Sequence, residues 1–516
     1  MRRLRLSPLP VVLAVAAMTG CATASLDLAP GSPDHPWQPD TTATGEIVPG
    51  ASKPASAVSP IGYTLPANAA VASVPAASAL DAAHAYTLPE LIDLAESANP
   101  LTRVAWNDAR NAALAAGIAK SAYLPYLSAT AMAGYQSGHG STSTLLGQAS
   151  ADSTAHGSIS VLSLQWLLFD FGGRAARVEA AEQISVIANI GFTAVHQQVI
   201  HDVSVAFYAY EAARSRTVTT RQGLDNADAI LAAARARYKQ GIGTVVEVAQ
   251  ATQNRAQANL ALVQAQGAES NSYMSLISGL GVSPLSHPRI AELPTRPLPA
   301  ALRDSVDQIV ATAIARRPDV LSAYAAEKAS QARARAAETE FLPKVFLSGS
   351  ASYSSGGAAI TAIPPIGQQA PTVNLNGTHY GTSVFVGVNI PLYDGGLRAA
   401  VLMQAHNDAE SAATKLTRTK EEAVRQIVTG QNMLQTSLAT HEAAQALVAA
   451  AQTTYDAAFT AYRHGVGSIT DVLLAQNQLL AAKNAAADAY SGARAAAATL
   501  ALATGSIGAK PTQSDW

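Results

Sequence analysis

Apolar positions along this chain switch between two periods, and the switches divide it into helical tracts and short alternating ones. From Thr87, Leu88, Leu91, Ile92 and Ala95 recur at helical spacing, and Asn99-Pro100 closes that helix and opens another running to about Ala122. After Leu124-Pro125 the period becomes two. Leu127 to Tyr135 sets Leu, Ala and Tyr on one side against mostly Ser, Thr or Gly on the other, and Leu162 to Trp166 alternates again. From Gly172 to Gln240 there is no proline and almost no glycine, which predicts one helix about 100 Å long. Gly241-Ile242-Gly243 turns the chain, and a second helix of about 55 Å follows from Thr244 to about Leu280.

The whole succession then occurs again. Pro100 and Pro125 match Pro318 and Pro343 at an offset of 218, while Asp170, Arg174, Gly241 and Gly281 match Asp394, Arg398, Gly465 and Gly505 at an offset of 224. A regular duplication argues for one repeated architecture rather than independent modules. We place the first repeat at 86–281, with strands at about 126–137 and 158–169 and a tip at about 238–247. The second is placed at 304–505, with strands at about 345–355 and 380–390 and a tip at about 462–471. A Pro-rich linker, 282–303, joins them, and 506–516 form a tail. Gly138 to Ala155 and Gly356 to His379, rich in Gly, Ser, Thr and Pro, are expected to be external loops. In each repeat the two shorter helices are expected to stack end to end beside the long one, because their summed length nearly equals its length.

The strand pairs carry the strongest physical constraint. Tyr380, Thr382, Val384, Val386, Val388 and Ile390 share one face, Gly381, Ser383, Phe385, Gly387 and Asn389 the other, and none of the four strand stretches contains Asp, Glu, Lys or Arg. An antiparallel sheet with one wet face would show the same alternation, but uncharged edges are unusual in water. About ten residues, apolar on one side and polar on the other, is the pattern of a membrane β-barrel. Four strands cannot close a barrel, and open edges are not tolerated in lipid. Two copies would give eight strands and a filled interior; three would give twelve and leave a conduit. The expected protein is therefore mostly α with a small membrane β-barrel portion, a homotrimer with outer-membrane lipid around it.

Each tip is a Gly-x-Gly between long helices. Gly241 and Gly465 supply the left-handed residue that ends one helix, Gly243 and Gly467 complete the turn, and Thr244 or Ser468 can cap the next helix. Glu247 and Asp471 stand three residues after the caps, as in a capping box.

Composition changes the picture in two places. Charged residues make up only 14% of the 516 residues, against roughly a quarter in ordinary soluble domains, so much of the surface must be hidden or paired. The net charge of -2 gives no reason to invoke nucleic acid. At the N-terminus, Arg2, Arg3 and Arg5 precede an apolar run from Leu9 to Met18, the layout of a secretory signal over 1–20. Met18-Thr19-Gly20-Cys21 resembles a bacterial lipobox whose cysteine, the only one in the chain, would carry lipid; an ordinary signal with an incidental cysteine is the alternative. Residues 21–85, rich in Pro, Ala, Ser and Thr, have no period and read as a lipidated tether.

The order of helices and strands, the two halves, Asp170 and Asp394 at the strand-to-helix junctions, Arg237-Tyr238-x-x-Gly, and Tyr462-x-x-Gly followed by Asp471-Val472-Leu473-x-Ala475-Gln476 resemble the TolC-type outer-membrane efflux channels. The lipidated form is similar to the outer-membrane lipoproteins of RND drug pumps. The resemblance implies a trimer with a twelve-stranded β-barrel in the outer membrane, continuous with a twelve-helix periplasmic α-barrel. It further implies that the tips dock a periplasmic membrane-fusion adaptor joined to an inner-membrane pump. In well-known members a second acid follows the Asp-Val-Leu, and a basic residue in the tip turn helps to hold the mouth shut. Leu474 and Gly467 occupy those positions here. Closure is accordingly expected to rest on helix packing plus one acidic ring of Glu247 and Asp471, with the bland alternative that both are first-turn acids favoured by the helix dipole.

No motif calls for catalysis, a cofactor or a metal. His196 and His201 are five apart, off the spacing that places two ligands on one helical face, and neither Gly172-Gly173 nor Gly395-Gly396 continues as a phosphate loop. Both glycine pairs are expected to turn strand into helix. The function expected is passive export of drugs or other small molecules. The duct of a type I secretion system and a lipid-anchored coiled coil without a pore are the alternatives.

Overall fold

The fold is taken from a computed structural model. It describes residues 83–144, 147–293, 297–299, 305–363 and 372–508, with short stretches before 83, chiefly 40–48 and 67–73. The leader, the lipobox and Cys21 lie outside the described residues, as does the tail from 509. Residues up to Ala79 and those from Leu80 form two separate units.

In the first unit the stretch read as a featureless tether contains a two-stranded antiparallel hairpin, Asp40–Thr41 against Ile47–Val48. Local turn chemistry overrides the missing period. Gly45 sits at φ +87°, Thr42 Oγ1 and Thr44 Oγ1 are 2.8 Å apart, and the Thr42 hydroxyl accepts from the Glu46 N–H.

The second unit holds the duplication. Its first half contains α1 (Leu88–Ala98), α2 (Pro100–Ser121), β1 (Tyr126–Thr144), β2 (Gly147–Phe169), α3 (Gly173–Lys239) and α4 (Val245–Leu280). Its second half contains α5 (Val306–Ala313), α6 (Pro318–Glu338), β3 (Lys344–Ile363), β4 (Thr372–Asn389), α7 (Leu397–Arg463) and α8 (Ile469–Ala503). Thr87 and Glu90 cap α1 reciprocally, as Ser305 and Gln308 cap α5. A short parallel pairing of Ala85–Tyr86 with Arg289–Ile290 adds strand to the linker between repeats.

The long helices α3 and α7 have 67 residues each, about 100 Å. The shorter helices stack beside them as their lengths require. The end of α4 meets the start of α2, where Asn99 Nδ2 donates to the Gly279 carbonyl at 3.1 Å. In the second half the Arg317 guanidinium donates to the carbonyl of Ala503, which closes α8 onto the start of α6. Gly281 at φ +72° and Gly505 at φ +65° end the two helices, and a side chain at Gly281 would strike Asn99 and Pro100.

The core follows the long helices. Leu91, Val203, Phe207, Leu276 and Ile277 form one fully buried cluster, and Ile230, Ala234, Tyr462, Val472 and Leu479 form another near the tips. Small residues dominate the contacts between helices, which lets their axes approach closely. His196 and His201 belong to the wall: His196 Nδ1 lies 3.4 Å from Glu96, and His201 Nε2 lies 3.2 Å from Thr499.

One antiparallel sheet orders the strands β1-β2-β3-β4, with 19, 23, 20 and 18 residues respectively. The strands are longer than the alternation indicated. The segments expected as loops, Gly138–Ala155 and Gly356–His379, are strand over residues 138–144, 147–155, 356–363 and 372–379. Gly, Ser and Thr runs carry no polar–apolar contrast, yet nothing prevents their backbones from extending a ladder that the neighbouring strand templates.

Candidate functional site

Residues paired across a sheet share a face, so the register separates two surfaces. One row runs Leu127, Leu164, Gly349, Val384; the adjacent row on the other face runs Ser128, Ser163, Ser350, Ser383. Ser350 and Ser383 hydroxyls are 2.8 Å apart. The apolar face also carries Trp166, Leu347 and Val386 in one row and Tyr353 with Tyr380 in another, and Tyr380 is 89% exposed in the single chain. An apolar band flanked by aromatic residues matches a lipid-facing surface and the serine face a wet interior. The outer strands β1 and β4 leave open ladders on both edges. Among the described residues no helix is long and apolar enough to cross a membrane.

At the foot of the sheet the chain turns through Phe171 (φ 53°) and Gly172 (φ 92°) into α3, and through Gly395 and Gly396 (φ 69° and 89°) into α7. Asp170 Oδ2 accepts from the Arg174 N–H at 2.6 Å, and the Arg174 guanidinium donates to the carbonyls of Ala122, Leu167 and Leu168. Both side chains are buried. In the matching pair Asp394 Oδ2 accepts from the Arg398 N–H at 3.0 Å and also from Arg398 Nε at 2.6 Å, but more of the Asp394 side chain is open to solvent.

The two tips agree bond for bond. Ile242 and Gly243 N–H groups both donate to the Arg237 carbonyl at 3.1 Å; Val466 and Gly467 donate to the Ala461 carbonyl at 3.0 and 3.2 Å. Gly241 stands at φ +76° and Gly465 at φ +83°, so both are held to glycine by backbone conformation. Thr244 Oγ1 accepts from the Glu247 N–H, and Ser468 Oγ from the Asp471 N–H, each at 3.2 Å.

The capping box expected at each tip forms only by half, because the carboxylates do not return to the cap backbone. Asp471 instead accepts from its own Ser468 hydroxyl at 2.7 Å. Glu247 turns to the other tip: Tyr462 OH donates to its Oε2 at 3.1 Å, and the Arg237 guanidinium lies 3.9 Å away. Arg237 also donates to the Tyr462 carbonyl at 2.7 Å, and its guanidinium sits 4.7 Å from the centre of the Tyr462 ring. Burial, and then the bond to Glu247, push the Tyr462 phenol up to about 12.

Sequence reasoning missed this cluster. Gly467 carries no cation, but Arg237 supplies one from the last turn of α3. The signal was the Arg237-Tyr238-x-x-Gly motif itself, which reads as local turn chemistry until the fold brings Tyr462 beside it. Glu247 is thus paired across the two tips, whereas Asp471 is exposed and, among the described residues, bonded to its own cap. Exposed apolar side chains stand at the tips, with Val466 83% exposed and Ile242, Val245 and Leu474 likewise open, beside the exposed Lys239, Arg463 and His464. Among the described residues no group of His, Cys, Asp and Glu is placed to hold a metal.

Known proteins resemble this chain over most of its length. The chain is 26% identical over 429 residues to protein CyaE of Bordetella pertussis, covering 83% of this chain and 86% of the relative. It is 28% identical to the outer membrane efflux protein BepC of Brucella suis, covering 75% and 78%. A crystal structure of a membrane protein from Pseudomonas aeruginosa superposes with a TM-score of 0.66 at 23% identity, covering 81% of this chain and 93% of the other. The family model for outer membrane efflux proteins matches residues 91–282 and 309–506, one match to each half. With each half matched separately and most of the sequence covered, the chain belongs to the outer membrane efflux protein family.

Proposed function

We propose that three copies of this chain form a passive export duct that carries drugs or other small molecules across the periplasm and outer membrane. The observation that carries this reading is the sheet. Four strands with an apolar face, a serine-lined face and two unpaired edges are incomplete alone, and three sheets close a twelve-stranded barrel wide enough to conduct. The 67-residue helices then line a periplasmic tunnel of matching symmetry. The exposed apolar side chains beside Gly241, Gly243, Thr244, Gly465, Gly467 and Ser468 suit helical hairpins of a periplasmic adaptor, which joins the duct to an inner-membrane pump. Cys21 would carry lipid, adding an anchor to the barrel.

Two measurements test this. Detergent-extracted protein in planar bilayers should give single-channel conductance and run as a heat-sensitive trimer; a monomer without conductance would sink the proposal. Affinity capture of the full chain from cross-linked cells should recover an adaptor and a drug-transporting pump, whereas recovery of a protein-secreting ATPase would assign the duct to type I secretion. Mass spectrometry of the mature N-terminus decides whether Cys21 is acylated.

A further inference from the structure

The agreement of the two halves has a consequence for how copies meet. Within one chain the first half touches the second where α3 packs on α6 and α8 and where β2 pairs with β3. In a ring of copies the second half of one must touch the first half of the next across corresponding surfaces. These are α7 against the neighbouring α2 and α4, β4 against the neighbouring β1 and, from the Tyr462–Glu247 contact between α7 and α4, α8 against the neighbouring α3 at the tips. Moving each internal contact forward by one half therefore names its partner between chains.

Side-chain volumes along the wall support that correspondence. Inside the chain, Gly223 of α3 leaves room for Leu480 of α8, whose methyls lie 3.5 and 3.8 Å from where a Cβ would stand. The corresponding residues are Leu447 of α7, 53% exposed in the single chain, and Ala256 of α4. The large residue has changed sides, so combined volume is roughly kept. The same exchange occurs under the sheet: Gly173 abuts Thr339, and their counterparts are the exposed Leu397 and the small Ser121.

Carried to the tips, the rule reaches the Tyr462–Glu247 bond. Its counterparts are Tyr238 and Asp471, and the position of Arg237 is taken by Ala461. Tyr238 is 52% exposed, and Asp471 is exposed with its cap bond engaging one carboxylate oxygen. We propose that the Tyr238 phenol of one copy donates to Asp471 of the next, a second tyrosine–carboxylate latch that exists only between chains. The ring then alternates latches inside a chain, each with a cation, and latches between chains with none. The inference rests on the closed ring of copies proposed above.

Paired cysteines test it in the full-length protein in membranes. A Tyr-to-acid hydrogen bond holds the backbones too far apart for a disulfide, so a short bis-maleimide linker is the probe. Y238C/D471C should give covalent dimers and trimers on denaturing gels, several-fold above either single variant. Y462C/E247C should consume both thiols without forming oligomers. Native mass spectrometry of the same samples reads the assembly independently. A native trimer without cross-linked oligomers from Y238C/D471C overturns the latch and leaves the duct standing; absence of the trimer overturns the duct. A Tyr238→Phe variant should shorten closed dwell times in bilayers while Tyr238→Trp, which keeps a hydrogen-bond donor, shortens them less. Equal dwell times in wild type and Tyr238→Phe would also overturn the latch.

Discussion

Tyr462 at the end of α7 donates its phenol to Glu247 in the first turn of α4, joining two residues 215 positions apart in the chain. The bond crosses from one tip to the other, so it resists any motion that separates the two helical hairpins of a chain. Removing the hydroxyl by Tyr462→Phe leaves the Glu247 carboxylate without its donor. For a partly exposed acceptor we expect a loss of about 1 kcal/mol, which shortens closed dwell times about five-fold. Arg237→Ala should cost more, because it removes the bond to the Tyr462 carbonyl as well as the guanidinium over the ring. Unchanged dwell times in both variants would show that the tips are held by packing alone.

The same bond has a pH signature. The Tyr462 phenol titrates at about 12 in the fold against 10.0 ordinarily, first through burial and then through Glu247. The folded state thus holds this proton more tightly than the unfolded chain. Its contribution is complete below pH 10 and is lost as pH rises through 12. Dwell times of the wild type should fall across that window, and those of Tyr462→Phe should lack this component. Parallel profiles would remove Tyr462 as the titrating group.

The strand-to-helix junctions differ in a way that mutation should expose. Arg174→Ala strands the buried Asp170 carboxylate and frees three carbonyls, a loss of about 3–5 kcal/mol. Arg398→Ala acts on a pair whose acid is open to solvent, and a clearly smaller loss is expected. Thermal unfolding of the two variants in detergent checks the order, and equal losses would contradict it.

A polar bridge inside the wall offers another measurement. Gln476 accepts from Asn254 Nδ2 and donates to the Gly223 carbonyl, both at 2.8 Å and both buried. Gln476→Leu leaves a donor and an acceptor unsatisfied, so we expect a loss of about 2–4 kcal/mol. Gln476→Glu should retain the Asn254 bond and lose the other, with an intermediate unfolding midpoint.

Periodicity and duplication made most of this architecture legible. Pro100 and Pro318, the two Gly-x-Gly turns and the alternation from Tyr380 to Ile390 mark features that local backbone chemistry dictates. What stayed hidden depended on distant pairing. Arg237 meets Tyr462 across a separation of 225 positions, and an arginine before a glycine turn carries no sign of that partner. The strand ends were hidden for the opposite reason. Residues such as Ser141 and Gly140 extend β1 by pairing with β2 while contributing no contrast between faces.

The row of Ser128, Ser163, Ser350 and Ser383 bears on the journey of a passing molecule. Short hydroxyls hold water and exchange it readily with a solute, so contacts with such a wall are made and broken at little net cost. Without charge or deep apolar pockets along that row, a solute meets friction rather than a resting place. In the proposed duct the outer end would then act as a lubricated sleeve, with the time a molecule spends inside set at the opposite end.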